Sequence, residues 1–456
     1  MTLLPPREGI SYLPHQEDGI RWMLEREQED STFCRGGILA DDMGLGKTFQ
    51  TIGLIKNSTI KKTLILCPPI LMGGWEEELS ACGFRVRLRL PGVPRFTDST
   101  AYDSGDRDGD VWLMSYSQSI QFPYLQRLMA FQRVVLDEGH VIRNPGTLLS
   151  EACCALTELS VSRWILSATP IQNGTKDWKN LSRFLSDGKA SDAPSTIMLR
   201  RTMEELRHSI TLPPTPVFIT HSLQMENHSH EKRLFHLLSN QLSDAIESRQ
   251  ISTFLTLERY LRLQQFIVHP QIYTEAMQDK YKGAYSQSAW NGHSTKWDGF
   301  CKVLHESSEP TIVFCQFRKE IKFVVDEACQ KGARVFTICG GIGSTEIANT
   351  VRAAKLAHSL AERVVVVVQI ATGGCGLNLQ FCTRILFLSK HWNPAVVFQA
   401  VGRAVRIGQH SIVNIHSFII LDNDIDLNNL DLRMYEMHKI KIAEARTIYS
   451  SLYNGF

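Results

Sequence analysis

From Arg363 to Ile370 the chain reads RVVVVVQI, five valines in succession. A run this apolar must be covered on both faces, yet it is far too short to span a bilayer, so it reads as a buried strand. Nine further runs share its character. GGILA (36–40), KTLILCP (62–68), DVWLMSY (110–116), RVVLD (133–137) and SRWILSA (162–168) form one set. TIVFCQF (311–317), RVFTICG (334–340), RILFLS (384–389) and IVNIHSFII (412–420) join the valine run in a second. β-Branched clusters of strand length, separated by stretches of helix length, predict an α/β fold with parallel sheets covered by helices on both faces.

A different kind of sequence separates the two sets. Within 223–269, Leu234, Leu237, Leu238 and Leu242, then Leu255, Tyr260, Leu263 and Phe266, fall at helical spacing. After His269-Pro270, the polar stretch YKGAYSQSAWNGHSTK reads as loop. The last stretch, 425–450, returns to helical spacing. The expected plan is a first α/β lobe over 1–215, a helical connector over 216–292, and a second lobe over 293–456 that ends in a helix. A chain of 456 residues accommodates such a division.

A net charge of +2 gives no overall sign of a nucleic-acid binder, so any such site must be a local basic groove. Eleven cysteines are scattered without a CxxC pair, which argues against a zinc ribbon, a RING or a disulfide framework. A reducing, intracellular setting is expected from that usage. The opening MTLLPPREGI lacks the long apolar core of a signal peptide, and no association with a membrane is expected.

The chemistry concentrates in a few motifs. ILADDMGLGKTFQTIGLI (38–55) reads as strand, tight loop and helix. Gly44 and Gly46 allow a backbone to approach phosphate, Lys47 reaches the β- and γ-phosphates, and the Thr48 hydroxyl holds Mg²⁺. The loop residues Asp41, Asp42, Met43 and Leu45 complete the expected ATP cradle, and the helix aims its N-terminal amides at the same anion. The match to GxxxxGK[ST] is incomplete, because Asp41 stands where the first glycine is expected. RVVLDEGH (133–140) is an apolar strand ending in two carboxylates. Asp137 is placed to hold Mg²⁺ and Glu138 to polarise the attacking water.

DDMGLGKT, LDEGHVIRNP, SATPIQN (167–173), MLRRT (198–202) and QAVGRAVRIGQ (399–409) together resemble the SNF2 family of superfamily-2 helicase-like ATPases, with spellings most similar to its Rad5/16-like branch. The resemblance runs in order over nearly the whole chain and implies two RecA-like lobes. It also implies that Gln16, in LPHQEDGIRWM, recognises adenine, although by itself Gln16 is an ordinary polar helix residue. Ser167 and Thr169 look like the motif that couples the lobes. PPILMGGWEEEL (68–79) looks like a loop that touches nucleic-acid phosphates, while Trp75 equally suits core packing at the lobe edge. ATGGCGLNLQ (371–380), with Gly373, Gly374 and Gly376, reads as a loop between nucleotide and nucleic acid.

QAVGRAVRIGQ places Arg403 and Arg406 three residues apart, expected on one face of a helix that Trp392 and Asn393 open. The first lobe shows no obvious cation for the charge that develops on the transferring phosphoryl group. An arginine from another lobe supplies one, so hydrolysis requires the lobes to close. The expectation is a DNA-dependent ATPase that moves along duplex DNA and remodels protein–DNA complexes, with nucleosomes or transcription factors as possible partners. The resemblance implies a nuclear setting. A strand-separating helicase, a non-catalytic DNA-binding transcription regulator and a subunit that needs a targeting partner are the rival readings.

Overall fold

The structure, a computed structural model, describes residues 2–29, 35–89, 96–98, 110–122, 124–171, 175–186, 197–247, 253–281, 289–373, 377–391, 393–421 and 439. The expected C-terminal helix lies outside the described residues, as do Gln172, Asn173, Gly374, Gly376 and Trp392.

Fourteen strands are described, in two sheets. The first sheet contains β1 (Gly36–Leu39), β2 (Lys62–Cys67), β3 (Arg85–Leu88), β4 (Thr97–Asp98), β5 (Asp110–Ser115), β6 (Arg133–Asp137), β7 (Ser162–Leu166) and β8 (Met198–Leu199). Their order is β4-β3-β5-β2-β6-β7-β1-β8, parallel except for the β3–β4 pair. The second sheet contains β9 (Val217–Leu223), β10 (Thr311–Cys315), β11 (Arg334–Ile338), β12 (Val364–Gln369), β13 (Arg384–Phe387) and β14 (Asn414–Ile420). Its order is β11-β12-β10-β13-β14-β9, parallel throughout.

The ten expected strands all form. Their continuous apolar runs divide by alternation, as a doubly covered sheet requires. Leu64 and Leu66 enter one apolar cluster while Ile65 and Cys67 enter another on the opposite face. Val364, Val366 and Val368 face one core and Val365 and Val367 the other.

The stretch expected to be a helical connector begins differently. Val217–Leu223 is a strand that pairs with β14 at the edge of the second sheet. Its residues are exposed or half-buried, although VFITHSL has the β-branched and apolar composition of a strand, so the signal was present in the sequence beside the helical spacing that follows. The helices His230–Glu247, Thr253–Val268 and Pro270–Tyr281 follow. They bury a smaller cluster of their own around Phe235, Leu263 and Phe266, and Val268 and Ile272 reach into the second lobe's core. No helix among the described residues is long and apolar enough to cross a membrane.

The register aligns the site. Asp137 stands opposite Leu166, and Leu166 opposite Leu39. The loop after β1, the Asp137-Glu138 pair and Ser167 therefore leave the first sheet at one level, at the carboxyl edge where ligands of open parallel sheets bind.

Candidate active site in the cleft between the lobes

Gly44 and Gly46 take left-handed φ values of +84° and +82°. A Cβ on Gly44 would stand 2.9 Å from the Cβ of Arg406, and one on Gly46 would stand 2.3 Å from the Gln16 amide nitrogen. Both glycines are therefore needed for conformation and for space. Gly46 caps the helix Lys47–Asn57, whose first turn carries no acidic residue to compete for an anion.

Asp41 explains the incomplete loop motif. Its carboxylate is fully buried and cannot stay there unpaired. Arg201 meets it at 2.5 Å through a guanidinium nitrogen and at 3.1 Å through its backbone N–H. Gln50 donates a further bond of 2.9 Å. Asp42 is engaged by Arg200 at 3.3 Å and by the Met203 backbone N–H at 3.1 Å. The MLRRT segment thus ties the loop to the sheet edge, and both loop carboxylates turn toward it.

Lys47 folds back on its own loop, donating to the carbonyls of Asp41 at 2.7 Å and Asp42 at 3.3 Å. Burial lowers its pKa, against the opposing pull of Glu138, Asp41, Asp137 and Asp42. Gln16 lies behind Gly46, with its amide oxygen accepting from Leu13 N–H at 3.1 Å and its amide nitrogen donating to the Leu45 carbonyl at 3.3 Å. His15 bonds the same carbonyl at 2.9 Å.

Successive residues of a strand point to opposite faces, so two adjacent carboxylates cannot ordinarily share a cleft. Glu138 solves this with a left-handed backbone, φ +53°, immediately after β6. That conformation costs a non-glycine residue about 1–2 kcal/mol, and such strain is met at functional sites. Asp137 accepts the Trp75 indole N–H at 2.7 Å on one oxygen and the Glu138 backbone N–H at 3.0 Å on the other. Burial and the neighbouring Glu138 charge push its carboxyl up to about 6. Burial pushes Glu138 in the same direction, but His140, Lys47 and Arg403 outweigh it and hold Glu138 below its ordinary value.

The second lobe forms the opposite wall. Helix Pro394–Val401 is capped by Asn393, whose side chain accepts from Ala395 N–H at 3.0 Å. The helix ends at Val401, so Arg403 and Arg406 do not share a helix face as expected. They sit on the turn that follows. Gly402, the C-cap, packs against Met43 of the first lobe, and Gly408, at φ +94°, turns the backbone away. Gln380 donates to the Ile407 carbonyl at 2.6 Å and Gln409 to the Gln380 carbonyl at 2.6 Å, which braces the turn. Arg403 is buried, and burial together with Arg403 lowers Arg406 to about 10, leaving it cationic at neutral pH. The glycine-rich stretch opens with a single helical turn, Ile370–Gly373, and 377–380 is irregular as expected.

These parts enclose one cleft of about 620 Å³. Gly46, Lys47, Thr48, Trp75, Asp137 and Glu138 line one side, and Arg352, Lys355, Gln380, Arg403 and Arg406 the other. A polar relay crosses it. Ser167 bonds His140 at 3.0 Å, His140 lies 3.3 Å from Glu138, and Gln399 of the second lobe donates to Glu138 at 3.4 Å. Sequence reasoning quoted His140 and Gln399 inside motifs without giving them a part. The buried Asp41 was the available signal for Arg201, since an acid in an apolar strand-to-loop junction demands a cation.

Both lobes fall within known sequence families. An SNF2-related domain matches residues 15–196 and a helicase conserved C-terminal domain matches residues 295–408. The chain is 27% identical to a probable global transactivator of Orgyia pseudotsugata multicapsid polyhedrosis virus, over 91% of this chain and 88% of that protein. It is 25% identical to the TATA-binding protein-associated factor mot1 of Aspergillus fumigatus, over 95% of this chain but 26% of that much longer protein. Among solved structures, the Sulfolobus solfataricus SWI2/SNF2 ATPase core in complex with dsDNA aligns over 98% of both chains, at 22% identity and a TM-score of 0.41. The two domain matches meet across the cleft that holds the lysine, the carboxylate pair and the arginines, and the chain belongs to the SNF2 family of helicase-like ATPases.

Proposed function

We propose that this chain hydrolyses ATP in the cleft between its lobes and couples that step to movement along duplex DNA, remodelling protein–DNA complexes or chromatin. The observation that carries the reading is the convergence of Lys47, Asp137 and Glu138 from one lobe with Arg403 and Arg406 from the other on a single nucleotide-sized cleft. The names of the relatives, a global transactivator and a TATA-binding protein-associated factor, support an action in transcription, and hence in the nucleus. Nucleosomes, transcription factors or a targeting protein are the proposed partners beside DNA. The proposed division is an ATP-binding lobe over 1–215, a connector over 216–292 and a second lobe over 293–456, with Val217–Leu223 lent to the second sheet.

In this reading phosphate oxygens take over Lys47 from the loop carbonyls, and the Gly44–Thr48 backbone cradles the chain of phosphates. Gln16 contacts adenine by exchanging its bond to Leu45. The Thr48 hydroxyl and the Asp137 carboxylate are hard oxygen donors facing one cleft, a set that fits Mg²⁺, which keeps waters and takes its other ligands from phosphate. No cluster of three or more His, Cys, Asp or Glu suited to a metal occurs among the described residues, in keeping with a metal held largely by the nucleotide. When bound, Mg²⁺ neutralises phosphate charge. Glu138 orients a water for attack on the γ-phosphorus. The new water–phosphorus bond forms as the bond to the β-phosphate oxygen breaks, and ADP and phosphate leave. Arg403 and Arg406 stabilise the charge on the transferring group.

The test is hydrolysis measured with no nucleic acid, single strands, duplex DNA, RNA and nucleosomes. Duplex DNA should stimulate with little sequence preference, and stimulation should fade as salt rises, because the contacts are to phosphates. Stimulation by RNA alone, or displacement of a strand from a tailed duplex, would favour the strand-separating reading instead.

A further inference from the structure

Resting on the ATPase reading above, we propose that the segment Pro69–Ala81 links lobe closure to the metal-site carboxylate, with Trp75 as the positioning residue. The segment leaves β2 as the short helix Pro69–Leu71 and continues at once as the helix Met72–Ala81. One side of it belongs to the second lobe's surroundings. Ile70 packs against that lobe's apolar cluster, which contains Ile347, and the helix Ser344–Ser359 lies against both short helices. Glu77 adds an ion pair of 2.8 Å to Arg352 on that same helix.

The other side of the segment is part of the first lobe. Trp75 is 2% exposed and shares a core cluster with Leu79, Phe84 and Leu113. A buried indole needs a partner for its N–H. Here the partner is Asp137, at 2.7 Å on the oxygen that the Glu138 backbone N–H does not hold. Two donors at different oxygens fix the rotation of the carboxylate. Neither donor on its own sets the plane in which a metal ion would be met. Because Ile70 and Trp75 ride on one continuous short piece, a shift of the second lobe against Ile70 moves the indole, and the indole turns the carboxylate. The lobes thereby govern how well Asp137 is aimed as well as whether the arginines arrive.

Trp75→Phe keeps the ring and removes the N–H. In the full chain, binding of a fluorescent nucleotide without Mg²⁺ should stay within about twofold of wild type. The strengthening of binding by Mg²⁺ should fall about tenfold, the loss expected from a hydrogen bond to a charged group. Full retention of the Mg²⁺ effect in Trp75→Phe overturns the positioning role. The link to the second lobe is read in the native sequence labelled with 5-fluorotryptophan, with the Trp75 ¹⁹F resonance assigned by its loss in Trp75→Phe. That resonance should move when Mg²⁺ and nucleotide are added. It should also move in Val351→Asp, a change on the facing helix of the other lobe, where Val351 packs against that lobe's apolar cluster and borders the cleft. A resonance indifferent to Val351→Asp overturns the link. Failure of the wild-type chain to bind nucleotide at all would instead remove the ATPase reading on which the proposal stands.

Discussion

The two walls of the cleft are held in different ways. On the first-lobe side the functional groups grow directly from strand ends. The loop after β1 is pinned by Arg201 at 2.5 Å, Lys47 is held at 2.7 Å, and Asp137 is held by two donors. On the second-lobe side the arginines sit on a turn beyond a helix, braced by Gln380 and Gln409 against their own lobe. Between the walls run thinner ties, such as the 3.4 Å bond from Gln399 to Glu138 and the exposed ion pair of Arg352 with Glu77. Exposed ion pairs contribute about 0–1 kcal/mol, so such ties can be made and broken during a cycle. In the proposed mechanism the comparison corresponds to a division: a built wall that would bind the ground state, and a second wall that would supply charge when the lobes meet.

The sharpest way to break that division is Lys47→Ala. It should abolish duplex-stimulated hydrolysis, by about 10³-fold or more, while leaving the melting temperature close to wild type, because Lys47 bonds only to loop carbonyls. Steady-state hydrolysis beside thermal melting checks it, and a variant that turns over well would dislodge the loop assignment.

Next are Arg403→Ala and Arg406→Ala. Each should bind ATP almost as wild type and lose about 10³-fold in single-turnover hydrolysis at whichever position touches the transferring group. Lysine should rescue poorly, since it lacks the planar fork. If both alanine variants lose ATP affinity yet turn over normally when saturated, the second wall is a binding wall and the comparison collapses.

Within the first wall, Glu138→Gln should keep nucleotide affinity and slow hydrolysis by about 10²-fold or more, whereas Asp137→Asn should weaken Mg²⁺-dependent nucleotide binding. Equal losses of affinity in both would merge two roles that the proposed mechanism holds apart.

The smallest effect sharpens the comparison from outside the site. Glu320 is fully buried at the start of the helix Arg318–Gln330 and accepts from the Gln316 and Phe317 backbone N–H groups at 2.7 and 3.0 Å. Burial pushes its carboxyl up to about 7, against those bonds. A folded value above the unfolded one means that its contribution is favourable at low pH and is lost as pH rises through about 7. Glu320→Gln keeps an acceptor for both amides. It should therefore raise the melting temperature by a few degrees at pH 8, change it little at pH 5, and leave hydrolysis unaltered. Equal gains at both pH values would mean that charge is not the cause.

Legibility followed burial. All ten strands read from apolar runs exist. The four that were missed, Arg85–Leu88, Thr97–Asp98, Met198–Leu199 and Val217–Leu223, lie at or next to a sheet edge. An edge strand is covered less and can carry less of the apolar signal that identifies a strand, as in RVRL and Thr97–Asp98, whereas VFITHSL at 217–223 carries that signal despite its edge position. The end of the helix at Val401 was missed for another reason: Ala404 and Val405 continue the apolar spacing of Val397, Ala400 and Val401, and Gly402 acts as a C-cap only in the folded context.

The sequence by itself determined the covered parallel sheets, the glycines of the loop and the order of the charged motifs, because these depend on local covalent and steric facts. RVVVVVQI must be buried, and Gly44 and Gly46 can turn left-handed without strain. Tertiary structure alone decided the partners. That Asp41 pairs with Arg201, that Trp75 donates to Asp137, and that Gln399 reaches Glu138 from the other lobe are contacts between residues 160, 62 and 261 positions apart. No local rule selects such pairs. They follow from strand order and register, which bring distant strand ends to one edge and leave each buried polar group to bond with whatever the fold sets beside it.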